Sequence, residues 1–299
     1  MKRELHFSVG KEWENRTLLE FLKAKGFSRQ NITDIKKTSN GLLVDGRWEY
    51  VNYKLKEQEE VTVVIMEEES SEKIVPVDLP FPVVYEDEDI VVVNKPADMP
   101  IHPSLNNYEN TLGNAAAYYF EHWKEPFVFR CVNRLDRDTT GLTILAKHGF
   151  SAGRLNDQML RREIKREYYA IVEGIILDDA GRIEAPIGRV DGSTIERCVD
   201  EENGERAITN YRVIKRMKKH TLVALRLETG RTHQIRVHMK HIGHPLIGDF
   251  LYNSGNHDME RQALHSRSLD FKHPVIGTLM HFEADLPEDM RAIITNDDK

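Results

Sequence analysis

The apolar segments of the larger part of this chain are short strands that no regular helical crossover links. Residues 90–93 and 142–146 have the composition of buried strands, and 168–172 reads as a third. Residues 222–227 alternate, with Leu222, Ala224 and Arg226 set against Val223, Leu225 and Leu227, the period of a half-buried strand. Helical spacing fits 112–123 and 152–162. Strands without a helix after each one predict an α+β fold on a mixed or antiparallel sheet and give no support to a doubly wound parallel one. Neither G-x-G-x-x-G nor G-x-x-x-x-G-K-[ST] occurs, so dinucleotide and P-loop chemistry have no basis here.

Ahead of these strands the pattern changes. Leu18, Leu19 and Leu22 predict a helix over 16–27 with Gly26 at its C-terminal cap. Ser28 suits the N-cap of a second helix over 29–36, with Ile32 and Ile35 on one face. Asn40-Gly41 and Asp45-Gly46 are turn signals around a short strand at 42–44, and 61–66 is a last apolar strand. The acidic run E-E-E-S-S-E at 67–72, followed by Pro76, Pro80 and Pro82, reads as a linker. The expected organisation is a small α/β unit at 1–72, a linker at 73–82 and a larger unit at 83–296.

No apolar run approaches the ~18 residues of a membrane helix, and the N-terminal residues lack the apolar core of a secretory leader. The two cysteines, Cys131 and Cys198, cannot build a disulfide framework or a zinc ribbon, and a reduced cytoplasmic setting is expected. A net charge of −7, from 42 basic and 49 acidic residues, at first disfavours a nucleic-acid partner. The distribution reverses that. Lys and Arg outnumber Asp and Glu nine to four over 16–56, nine to four over 130–166, and nine to one over 212–245. Such patches govern phosphate binding more than the total does, although ordinary solvated faces also carry charge runs.

Two strings concentrate polar chemistry. In the first, Asp136 lies between Arg134 and Arg137 and is followed by Thr139-Thr140-Gly141 and an apolar strand. A rigid strand can hold such a loop at a cleft; by itself the string also reads as a surface turn. The second runs from Leu227 to Asp249 and sets Arg231, Arg236, His238, Lys240, His241 and His244 among few apolar residues. His233, His238, His241 and His244 are nominal metal ligands, but no H-E-x-x-H spacing or Cys pair accompanies them, and no metal site is expected. Arginines favour a carboxylate or phosphate neighbour, to which the guanidinium donates two parallel hydrogen bonds.

These residues carry a family resemblance. Asn133-Arg134-Leu135-Asp136 with Thr139-Thr140-Gly141-Leu142 resembles the H-R-L-D-x-x-T-S-G-L signature of the RluA-type pseudouridine synthases. Residues 93–103 resemble the family's N-K-P-x-G-x-x-x-H-P segment, and 165–170 its K/R-x-Y-x-A strand. Residues 229–249 resemble its T-G-R-x-H-Q-x-R-x-H … G-H-P-x-x-G-D block, and 261–265, 273–274 and 286–287 its ending. The resemblance spans residues 85–290. Asn133 stands where His is common, Asp98 where Gly is usual and Thr140 in place of Ser; of these, Asp98 is expected to alter a turn. The first unit is similar to the alpha-L RNA-binding domain, with Arg29, Lys36 and Lys37 supplying the basic second helix.

The resemblance implies isomerisation of uridine to pseudouridine in ribosomal or transfer RNA, without a cofactor, and a monomer is the default expectation. The C1′–N1 bond breaks, the uracil turns, and C5 joins C1′. Asp136 is the implied catalytic carboxylate, either as nucleophile or as base at C2′. Its implied partner is Arg236, with Arg231 as the fallback, since a guanidinium keeps a carboxylate charged even in a closed pocket. Tyr168 would stack on the uracil, Tyr169 would fill the core behind it, Arg134 would occupy the space of the extruded base or bind phosphate, and Ile235 would add an apolar wall. Two other classes need less or more. A non-catalytic RNA-binding or ribosome-assembly factor on the same fold has no use for Asp136. A glycosidase needs a second carboxylate at defined separation, and Asp138 is expected to point elsewhere.

Overall fold

The computed structural model describes residues 1–71, 74–105, 107–122 and 126–298. Glu72 at the end of the expected acidic linker, Lys73 beyond it and Trp123 at the end of the expected helix lie outside the described residues.

Local hydrogen bonding explains the first unit. Thr17 and Glu20 form a reciprocal capping box that starts α1 (Leu18–Ala24), and Ser28 and Asn31 form another that starts α2 (Arg29–Lys37). Between the helices Gly26 takes φ +94°, the left-handed cap expected of it. Leu18, Phe21 and Leu22 of α1, with Ile32 and Ile35 of α2, pack onto a four-stranded sheet. That sheet has a strand the sequence pattern did not predict. β1 (Lys2–Ser8) pairs antiparallel with β4 (Glu60–Met66), while β2 (Leu42–Val44) joins β4 to the short β3 (Arg47–Trp48).

The larger unit is built on β5 (Val83–Glu86), β6 (Ile90–Lys95), β7 (Thr140–Ala146), β8 (Lys165–Glu173), β9 (Ala180–Glu184), β12 (Ile208–Arg216), β13 (His220–Leu227), β14 (Leu264–Lys272) and β15 (Leu279–Glu283). A separate ribbon pairs β10 (Ile187–Arg189) with β11 (Arg197–Val199). The helices are α3 (Leu112–His122), α4 (Gly149–Leu160), α5 (Gln234–His241) and α6 (Glu288–Asp298). The main sheet runs β5-β6-β7-β14-β8-β13-β12-β9, with β15 on β14. Every pairing within it is antiparallel except β7 with β14, so the sheet is mixed, as expected. Where β7 meets β14, Gly141 takes φ +108°, and a Cβ there would fall onto the Ser266 backbone. Only glycine admits that approach.

Core residues cover both faces of β13, so its buried run from His220 to Leu225 does not show the half-buried alternation expected from sequence. The β8 expectation is also reversed. Tyr168 is 4% exposed and belongs to the main core, whereas Tyr169 is only half-buried against a smaller cluster. Side chains alternate along a strand, but which face is deeper depends on the layers that cover it.

The acidic segment after β4 is not a free tether. Glu67 accepts hydrogen bonds from Arg130 (3.0 Å) and from the Gly149 amide (3.1 Å), while the Ser70 and Ser71 hydroxyls accept from the amides of Phe127 and Phe129. Arg3 of β1 reaches Asp89 at 2.9 Å, and Phe27 packs on Phe150 of α4 with ring centroids 4.3 Å apart. The two units therefore share an interface that local sequence reading could not reveal. Among the described residues, no helix is long and apolar enough to cross a membrane.

Candidate active site

The loop that carries Asp136 is tied down from several sides before it enters β7. At its start, buried Asn133 donates from Nδ2 to the Leu142 carbonyl (3.1 Å) and accepts the Ile144 amide on Oδ1 (2.9 Å), so Asn at this position is a clamp on β7. In the middle, the fully buried Lys95 ammonium donates to the carbonyls of Arg137, Pro96 and Met99, each at 2.8 Å. Burial pulls the Lys95 pKa down to about 7, against the raising pull of Asp138 and Asp136. Further along, Arg261 donates to the Asp138 carbonyl (3.1 Å), and Thr140 Oγ1 meets His265 Nδ1 at 2.8 Å. Thr in place of Ser thus keeps its hydroxyl engaged.

Asp98 lies beside this loop, 3.6 Å from Arg137, and takes φ +52°. Asp tolerates this region better than most L-residues, and glycine adopts it without strain. Asp98→Gly is therefore expected to raise the unfolding free energy, by up to about 1 kcal/mol. Denaturant titration checks this, and a loss of similar size would show that the Asp98 side chain matters more than its backbone.

Asp136 is fixed by a second element. Arg236, on the first turn of α5, has a side chain only 3% exposed. It donates from Nε and one terminal nitrogen to both Asp249 oxygens, at 2.7 and 2.8 Å, and from the other to Asp136 Oδ2 at 3.1 Å. Asp249 is fully buried and also accepts the Leu251 and Tyr252 amides, so its orientation is set by backbone. Burial would lower the Arg236 pKa, but hydrogen bonds and charge from Asp249 and Asp136 outweigh it and hold the guanidinium above its ordinary range. The result is a bidentate buried pair in which a further N–H of the same guanidinium reaches a carboxylate that stays partly open to solvent.

That carboxylate faces a cavity of about 60 Å³ lined by Arg134, Asp136, Tyr168, Arg231, Ile235 and Arg236, all six singled out from the sequence. Arg134, Tyr168 and Arg231 also line an adjoining groove of about 520 Å³, where Arg162 and Arg166 add positive charge and Glu228 the opposite. Burial pushes the Tyr168 phenol pKa up, so the ring presents a neutral face. Arg231, the fallback partner, does not pair with Asp136. It is ion-paired with Glu205 and donates to the Arg206 carbonyl at 3.2 Å. Asp138 turns away from this cavity toward Arg137 (3.1 Å), as expected.

Other expectations separate in space. Arg29, Lys36 and Lys37 are exposed on α2 of the first unit and line neither cavity. The 212–245 basic stretch splits, because β12 and β13 form a hairpin that carries Arg216 and Lys219 to the end opposite Leu227, about 20 Å away along the strands. Arg216 is occupied there by Asp179 at 2.7 Å. The nominal metal ligands do not converge either. His238 bonds Thr209 and the Ala185 carbonyl, and His244 bonds the Glu173 carbonyl. His233 alone of the four lines the Asp136 cavity. Sequence reading named it only as a potential ligand and gave Asp249 no role; the close of the T-G-R … G-D block at Asp249 was the available signal.

The family model described as RNA pseudouridylate synthase matches residues 89–241. The chain belongs to that family. It is 40% identical over 281 residues to the uncharacterized RNA pseudouridine synthase YjbO of Bacillus subtilis, covering 93% of this chain and 98% of that one. It is 39% identical over 249 residues to ribosomal large subunit pseudouridine synthase D of Escherichia coli, covering 79% of this chain and 76% of that one. Among solved structures, human RNA pseudouridylate synthase domain containing 1 superposes with a TM-score of 0.59 at 25% identity, over 73% of this chain and 94% of that one.

Proposed function

We propose that this chain converts specific uridines of structured RNA to pseudouridine, with Asp136 acting at the sugar–base junction. The observation that carries this reading is a carboxylate fixed at 3.1 Å by a buried guanidinium and facing a cavity that Tyr168 lines. A purely binding surface has no use for a fixed negative charge among arginines that track phosphates.

In this reading the uridine leaves its stack, at a cost of a few kcal/mol, and Tyr168 and Ile235 receive the base. A cavity of about 60 Å³ holds only a couple of waters, so the exposed Arg134 must give way when a nucleotide enters. Arg134, Arg162, Arg166 and Arg231 would then follow the RNA backbone along the groove, making binding salt-sensitive. Arg236 keeps Asp136 charged and aimed, whether the carboxylate attacks as nucleophile or removes the C2′ proton.

We assign RNA gripping to the first unit, 1–72, through Arg29, Lys36 and Lys37, and chemistry to 83–296, with 73–82 between them. The E. coli relative is named for the large ribosomal subunit, which makes large-subunit ribosomal RNA the first substrate to test, and the family resemblance makes transfer RNA the second. A cytoplasmic monomer is the setting we assign to it.

Bond formation at C5 expels the hydrogen held there, so RNA labelled with tritium at uridine C5 reports the reaction. The chain is expected to release tritium from large-subunit ribosomal RNA transcripts, and cells lacking the gene should lose pseudouridine at defined positions. No release from ribosomal or transfer RNA, with an unchanged pseudouridine map, would refute the assignment.

A further inference from the structure

His233 immediately precedes α5 and takes φ +58° and ψ +18°, a left-handed conformation that costs an L-residue energy and is kept where the surroundings impose it. In that conformation its ring stands edge-on to Tyr252, with centroids 5.6 Å apart, and lines the Asp136 cavity. The hydrogen bonds around it determine its tautomer. The Arg197 amide donates to the Tyr252 hydroxyl oxygen at 2.9 Å, and that hydroxyl lies 2.8 Å from His233 Nδ1. Tyr252 is 5% exposed, and burial raises its pKa to about 12, so its single proton stays on and needs an acceptor. His233 Nδ1 is the acceptor within reach among the described residues.

The proton of a neutral His233 therefore sits on Nε2. Burial lowers the imidazole pKa, and the N-terminal dipole of α5 further disfavours the cation. Nε2 lies 3.9 Å from Asp136 Oδ2, too far for a hydrogen bond, and Oδ2 is already served by Arg236. Among the described residues no acceptor lies within hydrogen-bond reach of that N–H, which borders the cavity beside the carboxylate.

We propose that His233 is a further catalytic residue, whose Nε2–H donates to a carbonyl oxygen of the extruded uracil, and that Tyr252 is the positioning residue that fixes its tautomer. This rests on the uridine-isomerising reading above. When the C1′–N1 bond breaks, the electron pair stays on the pyrimidine and spreads onto its carbonyl oxygens. A preset donor gains strength as that charge grows. C5 then bonds to C1′, the C5 proton leaves to solvent, and N1 takes a proton from solvent. His233 keeps its own proton throughout.

The test compares kcat and KM for tritium release from the full chain carrying His233→Phe, His233→Asn, His233→Gln or Tyr252→Phe. Phe removes the donor, and Asn tolerates the left-handed backbone but lacks the reach. Both are expected to lower kcat about 10²- to 10³-fold with KM little changed. Gln offers an amide N–H at the Nε2 position and should recover at least about tenfold of that loss. Tyr252→Phe keeps the ring beneath Arg236, whose guanidinium carbon lies 4.9 Å from the ring centroid, and removes only the hydroxyl. It should lower kcat and turn the single Nε2–H signal of His233 in ¹⁵N NMR into a tautomer mixture.

Near-parental kcat in the Phe and Asn variants, a change confined to KM, or an Nδ1–H tautomer in the parent would overturn the proposal. If Phe does not fold, the Asn and Gln pair decides alone, and equal activities in the two refute it. A parent that releases no tritium, alongside an equally inert Asp136→Asn, is a failure of the isomerase reading instead.

Discussion

Asp136→Asn is expected to lower tritium release at least about 10⁴-fold while the protein remains folded. The two effects separate because the amide oxygen can still accept from Arg236, and the Arg236–Asp249 pair is untouched. Asp136 is also 27% exposed at its side chain, so the lost charge interaction is moderated by water and should cost less than about 1 kcal/mol of stability. RNA affinity should hold or rise, because a negative charge is removed from beside Arg134 and Arg231. Filter binding and thermal melting, run beside the activity assay, check each part. Surviving activity would remove Asp136 from the chemistry, and unfolding would leave it a structural role only.

Arg236→Met should damage stability and activity together. It strands Asp249, a fully buried carboxylate, with two backbone amides and no counter-charge. Breaking a buried pair by removing one partner costs about 3–5 kcal/mol. In a protein of this size that corresponds to a melting point roughly 10 °C lower. Asp136 simultaneously loses its hydrogen bond and its orientation, so kcat should fall even in the folded fraction. Adding Asp249→Leu removes the stranded charge and should restore most of the stability without restoring activity. If the double variant melts as low as the single one, the loss comes from packing, not from the orphaned carboxylate. If Arg236→Met turns over normally, the guanidinium has no part in aiming Asp136.

Features governed by neighbours a few residues apart were legible in the chain. Ser28 starts α2 through bonds three residues long and Gly26 ends α1, both as expected, whereas Thr17 caps α1 at a start two residues inside the one that the sequence predicted. The loop of Asp136 and the helix of Arg236 lie in two dense polar strings, and the family resemblance carried by those strings and by 165–170 named Arg134, Tyr168, Arg231, Ile235 and Arg236 in advance. Features that depend on the whole fold were not. β1 reads as a mixed run of charged and apolar residues with a single fully buried side chain, Leu5, and becomes a strand only because β4 offers an unpaired edge. Tyr168 and Tyr169 lie on opposite faces from sequence parity, yet the assignment of the deeper face required the layers around β8.

Composition and spacing alone pointed to an α+β fold on a mixed or antiparallel sheet and to two dense polar strings, because residue types and short-range periodicity are properties of the chain itself; the resemblance of its motifs to a known family supplied the RNA-modifying reading and the place of the acid at Asp136. Only the tertiary structure decided that Arg236 reaches a carboxylate 100 residues away while Arg231 does not, and that Asp249 holds Arg236 from behind. It likewise brought the Tyr252 hydroxyl to His233 Nδ1, across 19 residues of chain. Those choices depend on strand order, on burial and on competition among distant hydrogen-bond partners, none of which is set until the chain has folded onto itself.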